Sequence, residues 1–432
     1  MARALAFLLT LTLAAPVAAQ EFFTLKGHGG PIMGIAVGPD GRIATASFDN
    51  AVGVWQGTTP VWHDGHEAAV NVVEFWTDGA LVSGGDDYSV RLWNSPGTHR
   101  LLGRHTAKVM ALAVSKNAGL IASASWDGTI GLWSPEEPAD PVFLRGHRQG
   151  VNDVAFNADG SLVYSASTDG TIRVWDVAKR EDVQVLASHG FGVNELVLNE
   201  AAGWLAYGAV DGGTRFLDLA TAEVIADFTL DRRPILALAQ NAENGQLAVG
   251  DGEGHIMLID TDQMRIARDF RATRNGPVWA LAFSPDGQNI HAGGIEDILY
   301  SWPVETIREH DPMAGGQRSF LTDPALMENG ERQFQRKCSI CHTLQGDSAR
   351  RAGPTLYQIF GRPAGAVADY SYSETLATSD IVWSDETIDA LFDEGPDHYI
   401  PGTKMPMQRI VRPEDRSDLI AFLRTATAGE GD

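Results

Sequence analysis

Ser167-Thr168-Asp169-Gly170-Thr171-Ile172-Arg173-Val174-Trp175-Asp176 reads as a tight turn feeding a short strand. Asp169-Gly170 supplies the reversal, and residues 171–175 are a β-prone run ending on a large aromatic. The pattern recurs as SFDNAVGVW ending at Trp55, GGDDYSVRLW at Trp93 and SWDGTIGLW at Trp133. It returns in weaker form as VDGGTRFLD, with Leu217 at the tryptophan position, GEGHIMLID, with Ile259 there, and IEDILYSW, ending at Trp302. These positions are separated by 38, 40, 42, 42, 42 and 43 residues. Residues 22–302 are therefore seven units of one period, the mark of stacked units that bury their apolar faces only against one another.

Within the fourth unit, residues 151–156, 161–165 and 171–175 read as strands, with Asn157-Ala158-Asp159-Gly160 and Asp169-Gly170 as the turns between them. Gly27-His28, Gly65-His66 and Gly146-His147 open several units. Repeated in this way, the units resemble the WD-repeat family, whose repeats each form a four-stranded blade of a β-propeller. The resemblance implies a buried hydrogen-bond network between the Gly-His histidine and a turn acid six residues before the tryptophan. Those acids are Asp49, Asp87, Asp127, Asp169 and Asp211, with Glu253 and Glu296 in the last two units. The repeated His-Asp pairs are structural in this reading, with no catalytic role. The network is expected to be incomplete in the third and fifth units, which have Arg104-His105 and Ser188-His189, and in the last two, which lack the pair. Residues 22–25 are expected to close the ring on the blade that ends at Trp302, because an open sheet edge is costly. On the upper surface, the residue before each turn acid is a candidate contact point. Phe48, Trp126, Val210 and Ile295 are the apolar members of that set and a possible docking surface, for another protein or for the second domain of this chain.

The chain has 432 residues and a formal charge of −23, which argues against a nucleic-acid or anionic-membrane partner. Residues 1–19 combine Arg3, an apolar run and a small-residue end, Pro16-Val17-Ala18-Ala19. They read as a cleavable secretory signal peptide, so a periplasmic location is expected. The apolar run is shorter than the roughly 20 residues a membrane span needs, and no later stretch is apolar enough to span.

The only two cysteines stand in Cys338-Ser339-Ile340-Cys341-His342. C-x-x-C-H is the attachment motif of a c-type haem: two thioether bonds and an adjacent histidine as an axial ligand. Against the competing reading, a structural or redox-active thiol pair, stand the adjacent His342, the absence of other cysteines and a second candidate ligand downstream.

From Gly330 onward the chain resembles class I cytochromes c over about a hundred residues. The resemblance is carried by Gly330 and Phe334, CSICHTL, Gly353-Pro354-Thr355-Leu356, Phe360-Gly361-Arg362, Tyr370-Ser371-Tyr372-Ser373, Trp383, the run from Tyr399 through Pro401-Gly402-Thr403-Lys404 to Met405, and Asp418-Leu419-Ile420-Ala421-Phe422-Leu423. It implies one covalent haem c on Cys338 and Cys341, with His342 and Met405 as axial ligands and Met407 as the rival to Met405. It also implies that Arg362, Tyr372, Trp383 and Thr403 hydrogen-bond or enclose the propionates. His/Met ligation raises the reduction potential. One departure is Ala390-Leu391-Phe392, where the family commonly places a tyrosine beside the methionine. Arg332, Arg336, Lys337, Arg350 and Arg351 form a basic cluster near the motif, able to steer an acidic redox partner.

The expected architecture is multidomain: a signal peptide over 1–19, an all-β seven-bladed WD-repeat propeller over 20–303, a linker over 304–321, and an all-α class I cytochrome c domain over 322–432. Its first helix is expected at 325–337, with Asp323-Pro324 as the start signal. The favoured function is a periplasmic carrier of single electrons, with the propeller docking a redox protein of unknown identity and no visible catalytic site. Two other readings stand beside it: an oxidoreductase with a substrate site on the propeller and the haem as relay, and an assembly scaffold or chaperone for another redox protein.

Overall fold

The computed structural model describes residues 21–136, 140–306, 327–346 and 350–428. The signal-peptide stretch, most of the linker, and Asp323-Pro324 lie outside those residues. The repeat folds as seven four-stranded antiparallel sheets, each with its strands in sequence order except the last. The first strand of every repeat packs on the first strands of its neighbours, including Val278–Phe283 against Ile32–Val37 across the ring, so these strands surround the centre. In the seventh sheet the outer strand is Phe23–Lys26, paired with Ile298–Pro303 in a register that sets Thr24 opposite Tyr300. The ring is thus closed by the first described strand, as the repeat pattern requires.

The core lies between blades. Leu25, Ile32, Ile43, Trp55 and Leu299 share one cluster between the seventh and first blades, and Val52, Val70, Val73 and Trp93 share another between the first and second. The tryptophans that mark the repeat are therefore the inter-blade filling, and each has its indole N–H satisfied in blades 1 to 4. Trp93 Nε1 donates to Ser83 Oγ at 2.7 Å, Ser83 Oγ meets His66 Nε2 at 2.7 Å, and His66 Nδ1 meets Asp87 at 3.0 Å. With neutral histidine donating from Nδ1, every group in this chain is paired. Burial alone would raise the Asp87 carboxyl, but the His66 and Ser89 bonds and the Glu67 amide hold it well below the usual range.

Blade 3 keeps the whole relay despite Arg104 replacing glycine: His105 meets Asp127 at 3.0 Å and Ser123 at 2.7 Å. This corrects the expectation of a gap there, and the reason is that only the histidine takes part. In blade 5 the ring is reversed, with His189 Nε2 on Asp211 at 2.9 Å and Nδ1 on Tyr207 Oη at 3.1 Å. Blade 6 departs from the expected acid. Glu253 is exposed, and Asp251 is buried instead, accepting the Glu253 and His255 amides and pairing with Arg232 at 2.9 Å. In blade 7 the buried Glu296 accepts the Tyr300 hydroxyl at 2.7 Å.

The C-terminal part has five helices among the described residues: α1 (Asn329–Lys337), α2 (Glu374–Ala377), α3 (Asp385–Glu394), α4 (Pro396–Tyr399) and α5 (Pro413–Ala426). Here α1 begins later than the proline signal implied, because Glu328 is extended and serves as N-cap. Helix α1 crosses α5 closely. A Cβ on Gly330 would fall 2.1 Å from the Asp418 carbonyl, so glycine is what permits the crossing. Phe334 and Phe422 then meet at 5.6 Å, over buried Leu419 and Leu423. Helix α3 is fixed by a capping box, Ser384 with Thr387, and Gly395 at φ 98° turns the chain directly into α4. Among the described residues, the core of Phe334, Leu356, Ile359, Ile388, Leu391 and Phe392 is shared with no propeller residue.

Candidate functional site

Helix α1 delivers the chain to Cys338, whose N–H bonds back to Phe334 O, and the following turn brings the His342 N–H onto Cys338 O at 2.8 Å. The two cysteines and His342 are thereby held on one wall of a single cavity. Cys338 and Cys341 are both buried and unpaired with each other. Burial, joined at Cys338 by the neighbouring Cys341, pushes both thiols up to about 12. The imidazole is oriented by its backbone: His342 Nδ1 donates to Pro354 O at 2.7 Å, which leaves Nε2 facing the cavity. A Cβ on Gly353 would lie 2.3 Å from His342 Cε1, so this loop hugs the ring because it carries no side chain there. Burial lowers the His342 pKa and favours the neutral form that ligates metal.

Met405 lines the same cavity, half-buried against the helical core, with its N–H held by Thr403 Oγ1 at 3.2 Å. Met407 is 50% exposed and packs over Gly395, so it does not reach the cavity. Cys338, Cys341, His342, Met405, Arg362, Tyr372, Trp383 and Thr403 all line this one cavity. Arg362 spends donors on Tyr357 O and Thr355 O at 2.7 and 2.6 Å, fixing the loop after Pro354. Buried Leu391 and Phe392 give the wall beside Met405 only hydrocarbon, in line with the missing tyrosine. A flat apolar macrocycle with thioether, imidazole and thioether-sulfur anchors suits this donor set and these walls.

Two features add to the roles expected from the sequence. Tyr370 lines the cavity and donates to Ala352 O at 2.6 Å, stacking edge-on with Tyr372 at 4.8 Å. The cavity also has propeller walls: Phe48, Asn50, Ala68, Ala69 and Asp86 line it. Phe48 and Asp86 occupy the positions before turn acids, which was the only sequence signal for this contact. Of the other candidate docking residues, Trp126 and Val210 are exposed at 49% and 46%, while Ile295 is partly covered.

The basic cluster divides. Arg350 makes a bidentate ion pair with Asp64, at 2.7 and 3.0 Å, and stands 4.5 Å over the Trp62 ring. Arg351 Nη1 donates to Gly29 O at 3.1 Å, and Arg332 Nη2 donates to Asn329 at 2.8 Å. Arg336 is exposed, and Lys337 lines the cavity.

Comparison with known families matches residues 327–427 to "Cytochrome c". The description "WD domain, G-beta repeat" matches residues 19–56, 59–94, 98–134, 141–176 and 265–302. The unmatched span holds the units in which Leu217 and Ile259 replace tryptophan. A "Cytochrome c homolog" of Rickettsia felis is 36% identical over 131 residues, 29% of this chain and 74% of that one. "Cytochrome c" of Arabidopsis thaliana is 42% identical over 102 residues, 23% of this chain and 88% of its own, and that of Sesamum indicum is 40% identical over 106 residues, 24% and 94%.

Proposed function

Because the chain belongs to the cytochrome c family through its C-terminal domain, joined to a seven-bladed WD-repeat propeller, we propose that it is a periplasmic carrier of single electrons whose propeller docks a redox protein. One covalent haem c on Cys338 and Cys341 supplies the Fe(II)/Fe(III) couple when bound. The observation that carries the reading is the convergence of both thiols, a backbone-oriented His342 and Met405 on one apolar cavity. His342 and Met405 would hold the iron, a ligand pair that disfavours small-molecule chemistry and favours electron exchange. Pro354 fixes the imidazole and Thr403 orders the methionine loop, and Arg362, Tyr372, Trp383 and Thr403 would hold or enclose the propionates. The periplasmic assignment draws on residues 1–19 as an export signal. No helix among the described residues is long and apolar enough to cross a membrane. Exposed Trp126 and Val210 are the contact points we assign to the external partner.

The test is spectroscopic. The purified protein is expected to show a low-spin His/Met haem that resists cyanide, and Met405→Ala to lose that spectrum, gain cyanide binding and shift its potential. A Met405→Ala protein indistinguishable from the parent sinks the axial assignment; catalytic turnover of a small substrate by the parent sinks the carrier reading.

A further inference from the structure

We propose that the acidic rim of blades 1 and 2 stands over the haem crevice in the place of a redox partner, so that electron exchange requires Arg350 to let go of Asp64. This rests on the reading that the cavity holds a haem that exchanges electrons. Phe48, Ala68, Ala69 and Asp86 form part of the cavity wall, so the propeller covers the side of the crevice that the cytochrome loops leave open.

The cover faces the loops of both ligand residues, His342 and Met405. On the His342 side, Arg350 lies three residues before Gly353, and its guanidinium is clamped between the Asp64 carboxylate and the Trp62 face. The backbone is fitted as well, since a Cβ on Gly29 would overlap the Arg350 carbonyl at 1.4 Å. On the Met405 side, the half-buried Lys404 donates to Ser371 O at 3.0 Å and lines the same crevice as Glu67, Ala68 and Asp87 of blade 2. Basic loops of the cytochrome thus meet a carboxylate-rich rim, the complementarity by which charged redox partners recognise each other. An external acidic protein approaching the crevice competes with Asp64 and Glu67 for the same cations.

The clasp is built to open. The Asp64 side chain is 63% exposed and that of Arg350 25%, so salt screens the pair. No apolar cluster spans the two domains among the described residues, and polar interdomain contacts of this kind are mobile by default.

The test uses the full-length haem-loaded chain, its Asp64→Asn variant and its Trp62→Ala variant, both altered on the propeller side so that the haem loops stay intact. Hydrogen exchange of segments 62–69 and 350–356 reads the contact whether or not the haem exchanges electrons. Stopped-flow oxidation by a neutral benzoquinone, on which salt exerts no direct charge effect, reads its consequence. At low salt both variants are expected to exchange amide hydrogens faster in both segments and to be oxidised about three- to fivefold faster, the change set by losing one exposed pair. The parent in 0.5 M salt should approach them. Equal hydrogen exchange and equal oxidation rates in all proteins and salts overturn the clasp while leaving the carrier reading intact. A parent without a low-spin redox-active haem overturns the carrier reading, and hydrogen exchange still decides the contact.

Discussion

Gly353 carries more of the site than its size implies, because its missing side chain is what lets Pro354 reach His342. A methyl there would sit 2.3 Å from the imidazole, so either the ring or the loop must give. Gly353→Ala is therefore expected to lower thermal stability by about 1–3 kcal/mol, as overpacking does, and to weaken the low-spin spectrum by detaching the Nδ1 bond. Visible spectra and calorimetry check both effects, and a variant with parental spectrum and melting point denies Gly353 this role. The anchors of the site were legible because the chemistry is local: Cys338, Cys341 and His342 are contiguous, and Met405 sits in a distinctive loop. Tyr370 was less legible, since its role depends on Ala352, a residue without a functional signature. The substitution of Asp251 for Glu253 as the buried acid of blade 6 was hidden because it depends on Arg232, on a different strand connection.

Among the elements, the innermost strands hold a group of carboxylates that the repeat pattern does not call for. Glu74 on Val70–Phe75, Asp153 on Val151–Phe156 and Glu195 on Val193–Asn199 come from blades 2, 4 and 5. Burial pushes Glu74 up to about 8, with the charge of Asp153 adding to it, and pushes Asp153 up to about 7 while its oxygens accept the Val154 and Leu196 amides. A folded-state pKa raised above the unfolded value means stability that is full below about pH 4.5 and lost as pH rises through about 8. His66 and His147 work in the other direction: burial lowers both, so their contribution is present above about pH 6.5 and lost below it. Glu74→Gln is thus expected to gain on the parent as pH rises from 5 to 8, by at least about 2 °C in Tm at the upper end. Melting curves across that range check it, and a pH-independent difference removes Glu74 as the cause. Strand existence was readable from the turns and alternation. The start of α1 was not, because Pro324 marks only where a helix can begin, whereas extended Glu328 sets where it does.

For the molecule as a whole, ring closure and domain placement were unequally visible. Closure follows from the count of strands per repeat, so the pairing of Phe23–Lys26 with Ile298–Pro303 was foreseeable. Of the placement of the cytochrome domain over blades 1 and 2 only Phe48 and Asp86 gave a signal, because Arg350 and Asp64 are single charges among many, with no spacing to join them. Deleting residues 21–26 should lower the melting temperature of the entire propeller, since it exposes the edge of blade 7 and removes Leu25, which is buried with Trp55 of blade 1. Loss of a single local transition with the rest unchanged would show that the ring tolerates an opening. The closing pair also sets an order of assembly. Thr24 and Tyr300 are about 275 residues apart, and contacts of such span form late in folding. Throughout synthesis the first strand has no partner until the last blade has been made, and the exposed charge of Lys26 at its end is the kind of side chain that keeps a waiting strand from joining the wrong sheet.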